Sequence, residues 1–472
     1  MKILVTGATG YIGKRLIPSL IEEGHEIYCC VRDINRFHLP KSIRDNVNIV
    51  ILDLLDFNSL SNIPKDIDGA YYLVHSMSNS KNYSELEQKS AENFRTAIDK
   101  TNVKHVIYLS GIVNESKLSE HLNSRKNVET ELSKGNYFFT ALRAGIIIGS
   151  GSASFEIIRD LVEKLPFMIT PKWLNTKCQP IGVGDIVLFL KKTLFNSCTY
   201  NKNFDIGGPD ILSYKEMLLI FGKERGLKRY IFTIPIMTPK LSSYWLYFVT
   251  STTFNLASSL VDSMKIEVVC RNNELEKMLE IQPLSYKNAI RKAFMKIKSN
   301  DIISSWKDSY SSSGINYNIS DFIRVPSYGC FKDKKMRKIN NINASIDKIW
   351  SIGGDKGWYY ATWLWKLRGF IDKIFGGVGL RRGRTNINSI NVGDSIDFWR
   401  VLYADKVEGR LLLFAEMKLP GEAWLEFKIK NKKLYQIATF RPLGLKGRFY
   451  WYLVFPFHIF IFNGLINKLS KA

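Results

Sequence analysis

Three glycines near the start of the chain, Gly7, Gly10 and Gly13, stand in the string Thr6-Gly7-Ala8-Thr9-Gly10-Tyr11-Ile12-Gly13. In this spacing the first glycine makes a tight turn, the second lets backbone approach a pyrophosphate, and the third lets helix pack on strand. The helix that follows would offer free N–H groups and a partial positive charge to phosphates. Further along, Arg32, Asp53, His75 and Ser110 each close a short apolar run. A guanidinium at Arg32, where NAD-binding proteins tend to place a carboxylate, suits a 2′-phosphate and favours NADP over NAD; Arg36 follows one turn on and Asp33 counts the other way. Asp53 is well placed to receive an adenine amine.

These residues need strands to carry them. Ile3–Val5 reads as a buried strand, and Leu16, Ile17, Leu20 and Ile21 recur with helical period up to Gly24. Strands are then read at 25–31, 47–52, 70–74, 106–109 and 138–142, with a long helix over 84–101. Strand and helix in alternation predict a doubly wound parallel α/β sheet, with ligand at the carboxyl ends of its strands. The expected cofactor-contacting set is Thr6, Gly7, Thr9, Gly10, Tyr11, Ile12, Gly13, Arg32, Asp53, Leu54, Val74, His75 and Ser110.

The glycine turn, Arg32, Asp53, Tyr71-Tyr72-Leu73-Val74-His75-Ser76, Asn93, Ser110, Gln179-Pro180-Ile181 with Asp185, and Phe204–Pro209 resemble the atypical, extended short-chain dehydrogenase/reductase superfamily on its NmrA-like side. The resemblance covers roughly residues 1–298. It implies NAD(P) binding, with reduction or epimerisation in some members and cofactor sensing or structural use in others. Active members carry Tyr-x-x-x-Lys on one helix face after the serine, the lysine lowering the phenol's pKa. Here the corresponding stretch is His121-Leu122-Asn123-Ser124-Arg125. The literal Tyr328-x-x-x-Lys332 lies far outside this region. The candidate catalytic residues are therefore Ser110, His121, Arg125 and His75. A histidine near its ordinary pKa is a competent proton donor at neutral pH. Two outcomes stay open: an acid/base site of altered chemistry, or a non-catalytic sensor or assembly protein that only binds cofactor.

At 472 residues the chain is too long for one core. A Ser-, Asn- and Asp-rich stretch suggests a linker over 299–332, between a 1–298 domain and a 333–472 domain. Seven tryptophans lie beyond residue 320, so the second half has its own aromatic core. A strand is read at 337–343, a short helix at 345–351, then a helix after Trp363 and strands at 397–403, 410–419, 423–430 and 434–441. An apolar helix closes the chain over 449–466. This order resembles the START-like helix-grip fold, an α+β architecture with an antiparallel sheet, a long final helix and a cavity for lipophilic ligands. The strings GWYYATWLW, GDSIDFWRV and GRFYWYLVFPFH resemble an uncharacterised bacterial family with this fused arrangement. Trp358, Trp363, Trp365, Trp399 and Trp424 are candidates to line such a cavity or to fill the core. Arg381, Arg382 and Arg384 are candidates for an anionic headgroup.

Net charge is +23, of which residues 301–472 carry 28 Lys+Arg against 14 Asp+Glu. No aromatic-basic RNA module or helix-turn-helix is seen, so no nucleic-acid partner is expected. No metal-ligand spacing appears among the six cysteines, and Met1-Lys2 runs straight into a strand, so a cytoplasmic protein with free thiols is expected. Residues 449–466 leave open a span or contact with the inner face of a membrane, and together with the basic second half they give a third functional alternative, a membrane-surface lipid-binding module. The expected partner is a small hydrophobic carbonyl or quinone-like substrate held between the domains, or a lipid. The oligomeric state is left open.

Overall fold

The computed structural model describes the chain apart from residues 35–36, 38–40, 76–82, 115–118, 235–242, 244–245, 247–253, 299–324, 326–329, 380–382, 385–388 and 472. It divides into two compact units, Met1–Ser311 and Ser312–Ala472.

In the first unit seven strands form one sheet: β1 (Lys2–Val5), β2 (Glu26–Val31), β3 (Val47–Ile51), β4 (Gly69–Tyr72), β5 (His105–Gly111), β6 (Phe138–Ala144) and β7 (Lys202–Ile206). Their order is β7-β6-β5-β4-β1-β2-β3, and every pairing is parallel. Strands covered on both faces read as continuous apolar runs. Thus Ile3, Leu4 and Val5 are wholly buried, as are Val106 and Ile107. Helix α1 (Gly13–Glu22) lays Leu16, Ile17 and Leu20 on the sheet, and Gly24, at φ +77°, turns the chain into β2. The chain reverses its direction of winding between β1 and β4. That is the switch point at which open α/β sheets bind ligands.

Two helices complete this end of the sheet: α2 (Tyr83–Ile98) and α3 (Glu120–Leu132). Ser119 starts α3 by accepting a hydrogen bond from Leu122 N. Arg143 on β6 clamps α3 through two bonds to Glu129, at 3.0 and 2.6 Å.

The second unit is an antiparallel sheet of six strands: β8 (Phe331–Lys338), β9 (Ser395–Ile396), β10 (Trp399–Asp405), β11 (Arg410–Ala415), β12 (Gly421–Lys430) and β13 (Lys433–Pro442). Their order is β8-β13-β12-β11-β10-β9. The strand expected at 337–343 lies earlier, because β8 is a lysine-rich edge strand whose alternation is masked by charge. Asn341 instead caps α5 (Ile342–Ile349) by accepting from Ala344 N at 3.0 Å; helix α4 is Val183–Thr193, in the first unit. Helix α6 (Thr362–Ile374) and the long α7 (Gly444–Ser470) complete the unit. Trp358 and Trp365 stack at 4.5 Å, and Trp451 stacks on Phe331 and Phe440. Trp363, a candidate for the interior, is 65% exposed. The Arg400–Glu416 pair is buried, with Arg400 also donating to Gly393 O.

A buried histidine ties β5 to β6 and to the loop that follows helix Val183–Thr193. His105 Nε2 lies 2.9 Å from Thr140 Oγ1, and its Nδ1 accepts from Phe195 N at 3.0 Å. Burial lowers its pKa to about 4. The folded protein therefore holds it neutral, and its contribution is complete above the unfolded value of ~6.5 and lost as pH falls towards 4. Lowering pH from about 7 to about 5 should cost the first unit about 2 kcal/mol through this group alone. His105→Gln should remove that share of the acid loss in urea titrations followed at the two pH values.

Candidate functional site

The glycine turn leaves β1 under steric constraint. Gly7 sits at φ +69°, and a Cβ there would lie 2.7 Å from Leu73 O. A Cβ on Gly13 would lie 2.4 Å from Gly7 O, and one on Gly10 2.9 Å from the same atom. Thr6 knits the turn to β4, donating from Oγ1 to Tyr71 O at 3.0 Å and accepting from Leu73 N at 3.2 Å. Tyr11 and Arg15 both reach Ser150 O, and the guanidinium lies 4.0 Å over the phenol ring. Ala8 is buried beneath, and Thr9, Ile12 and Tyr11 are half-buried around the start of α1. A cradle that only glycine fits, at a helix N-terminus, is what a dinucleotide pyrophosphate requires.

Arg32 is exposed at the end of β2 beside buried Asp33; Arg36 lies outside the described residues. Asp53 follows β3, where its Oδ1 accepts from Leu55 N at 3.0 Å, and Leu54 is buried. Asn93 on α2 donates to Leu54 O at 2.8 Å and so fixes this loop.

Beyond Leu73 and half-buried Val74, the chain reaches His75, where the chemistry concentrates. His75 Nδ1 lies 2.8 Å from Glu87 Oε1. A carboxylate only accepts, so the imidazole proton sits on Nδ1 and leaves the Nε2 lone pair available. Among the described residues that buried Nε2 has no hydrogen-bond partner. Ser124 Oγ donates to the other Glu87 oxygen at 2.5 Å. The His121 ring stands edge-on to His75 with centroids 4.8 Å apart. Arg125, one turn further on α3, packs its Cδ over Gly111, the residue after buried Ser110. His75, Ser110, His121 and Arg125 thus gather at the carboxyl ends of β4 and β5, while Arg32 and Asp53 stand at the ends of β2 and β3.

Burial lowers the pKa of both histidines, His121 well below the usual 6.5, and the Arg125 charge pushes in the same direction; Glu87 only partly offsets this at His75. Both imidazoles are therefore neutral at pH 7. This corrects the expectation that His121 is a ready proton donor there: desolvation and a cationic neighbour withdraw its proton. Tyr83, one turn before Glu87, is no replacement for the missing tyrosine, since burial with Glu120 and Glu87 nearby pushes its pKa up to about 12.

Glu87 and Ser124 were missed from sequence. Glu87 has a legible signal, because it falls on the buried stripe of α2 with Ala91, Phe94 and Ile98, where a carboxylate needs a partner. Other motif residues are structural clasps. Asp205 pairs with Arg271 at 2.8 Å, Gln179 donates to Gly208 O at 2.7 Å, and Asp185 accepts from Leu284 N at 3.1 Å. In the second unit Arg384 is spent on the carbonyls of Trp350 and Ile352, at 2.8 and 3.1 Å, which corrects its reading as a headgroup ligand. Arg381 and Arg382 lie outside the described residues.

The parallel sheet and glycine cradle define an NAD(P)-binding domain of the atypical short-chain dehydrogenase/reductase class. Residues 1–245 match the NmrA-like family, and the chain belongs to it. Residues 330–465 match a second family described as "Protein of unknown function (DUF2867)". The chain is 21% identical over 227 residues to divinyl chlorophyllide a 8-vinyl-reductase of Arabidopsis thaliana, covering 44% of this chain and only 54% of that protein. It is 24% identical to photosystem II assembly factor Ycf39 of Trieres chinensis, over 52% of this chain and 75% of that protein. Among solved structures, Citrobacter sp. triphenylmethane reductase superposes with a TM-score of 0.52 at 18% identity, covering 62% of this chain and 100% of that one. The NADPH-dependent quinone oxidoreductase of Escherichia coli, solved with NADPH, gives 0.50 at 15% identity over 62% and 99%. At these identities the structural likeness speaks for the fold.

Gly13→Ala puts a methyl group against backbone that has no room to yield. It should weaken dinucleotide binding at least about tenfold and lower the melting temperature. Titration by cofactor fluorescence and a thermal melt check both.

Proposed function

We propose that the first unit is an NADP-dependent reductase of a hydrophobic carbonyl or quinone-like molecule, in which a Glu87–His75 pair and His121 stand in for the tyrosine and lysine of the wider class. The observation that carries this reading is the buried His75 Nε2, without a hydrogen-bond partner among the described residues, on a ring oriented by Glu87 and in contact with His121. Arg32 supports the choice of NADP, since its planar, permanent charge suits a 2′-phosphate. The turn from Gly7 to Gly13 would hold the pyrophosphate, and Asp53 the adenine amine. Bound NADPH supplies a hydride. The chain's own part is to hold the substrate oxygen, polarise it with an N–H of neutral His121, and deliver the proton from His75 Nε2, which takes one up only below the usual histidine range. The second unit's antiparallel sheet and long terminal helix support its reading as a START-like fold.

A second reading, an NADP-binding sensor or assembly protein without turnover, is favoured by the absent Tyr-x-x-x-Lys pair and the raised Tyr83 pKa.

The test is NADPH oxidation by the full chain with a panel of quinones and hydrophobic ketones. The rate of reduction should rise as pH falls through a value below 6.5, because the protonated form is required and its pKa is depressed. His121→Ala and His75→Ala should each lower kcat/KM about 100-fold with NADPH affinity unchanged. Arg32→Ala should weaken NADPH about tenfold and leave NADH unaffected. Tight NADPH binding without turnover across the panel would leave the sensor reading standing instead.

A further inference from the structure

The second unit encloses a cavity of about 300 Å³ that the dinucleotide chemistry does not use. Trp399, Trp424 and Ala438 of the sheet line it, with Trp365 of α6 and Phe462 of α7. Leu367 of α6 and Leu453 and Phe457 of α7 line it too, yet these are 46%, 61% and 57% exposed. They form its mouth, which therefore opens between the two helices.

The lining is apolar but contains unanswered polar atoms. Trp365 Nε1, Trp399 Nε1 and His458 Nδ1 are all buried without a hydrogen-bond partner among the described residues, and the two tryptophans are 6% and 4% exposed. A buried indole N–H left unpaired is costly, and in native proteins it usually finds an acceptor. Burial lowers the His458 pKa to about 4, so the imidazole is neutral and offers no charge to an anion. The site thus suits a hydrocarbon body with an uncharged oxygen acceptor.

The mouth is set in an apolar face. Trp363, Leu367, Phe370 and Ile374 are exposed along α6, at one helical spacing. Leu445, Phe449, Tyr452, Leu453, Phe457 and Phe460 do the same along α7. Lys366 of α6 and Lys446 and Arg448 of α7 are exposed beside these stripes. The only acid in either helix is Asp372, which is buried and accepts from Lys418 N and Gly379 N. Apolar stripes flanked by cations alone match the interface of an anionic bilayer. Helix α7 is apolar enough to cross one, with mean hydropathy 1.5 over its best window. It nevertheless commits Trp451, Phe462, Leu465 and Ile466 to the unit's own core, so the folded helix lies along the surface.

We propose that α6 and α7 dock the second unit on an anionic bilayer and admit one uncharged amphiphile, with a hydrocarbon chain and a hydroxyl or carbonyl head, through the mouth between them into the cavity. This surface is independent of the reductase reading, and each can fail without the other.

The test uses the full chain. In flotation assays, vesicles of mixed phosphatidylcholine and phosphatidylglycerol should recover at least about tenfold more protein than phosphatidylcholine alone, and added salt should erase the difference. The double variant F370E/L453E, at exposed positions, should lose recovery about tenfold with an unchanged circular dichroism spectrum. Native mass spectrometry should show a one-to-one adduct with hexadecanol, weakened about tenfold for hexadecane and in W365F or W399F. The proposal is overturned if the chain ignores both vesicles and instead self-associates through this face, the association being lost in F370E/L453E. Equal retention of hexadecane and hexadecanol would overturn the assignment of the indole N–H groups to a ligand head.

Discussion

The first unit depends on one backbone contact, the approach of Gly7 to the carbonyl of Leu73. The chain can make it only because Gly7 lies at positive φ with no side chain, since a Cβ would lie 2.7 Å from that oxygen. The contact locks the end of β1 to the end of β4, and Thr6 reinforces it from both sides. Two consequences follow. The N-terminus of α1 is fixed at the switch point of the sheet, and His75, two residues past Leu73, is held beside it. Phosphate binding and imidazole chemistry thus share one anchor.

Around that anchor, charge is arranged so that both imidazoles stay neutral. Desolvation alone would leave His75 without a defined tautomer. Glu87 supplies one by accepting from Nδ1, and Ser124 fills the second carboxylate oxygen. Arg125 then opposes protonation of both rings. The substitution of His-x-x-x-Arg for Tyr-x-x-x-Lys is therefore more than an exchange of one acid for another. Lysine beside tyrosine favours an anionic phenolate; arginine beside histidine favours a neutral ring. The same positions on one helix face serve opposite electrostatic ends.

Much of this was legible in the sequence where period and steric demand coincide. The glycine spacing, the apolar runs of β1 to β6 and the amphipathic α1 each carry their own signal, and the parallel sheet follows from their alternation. The lysine-rich β8 was misplaced, because an edge strand defends itself with charge and so hides its alternation. Ser124 gave no signal at all: its role comes from α3 lying against α2, a tertiary fact. Glu87 was readable in principle as a carboxylate on a buried stripe. Arg384 misled because a basic residue beside glycines resembles an anion site, whereas it holds the carbonyls of Trp350 and Ile352. In the second unit the aromatic content was evident, but whether each tryptophan faces core, cavity or solvent is decided by the packing of α6 and α7.

The arrangement of the two imidazoles is read most directly by pH titration of the ¹⁵N shifts of His75 and His121, with and without NADPH. His75 should be neutral and protonated on Nδ1 at pH 7, both rings should ionise only below pH 6.5, and both should shift when the dinucleotide binds. A His75 that is already cationic at pH 7, or rings indifferent to saturating NADPH, would contradict that arrangement.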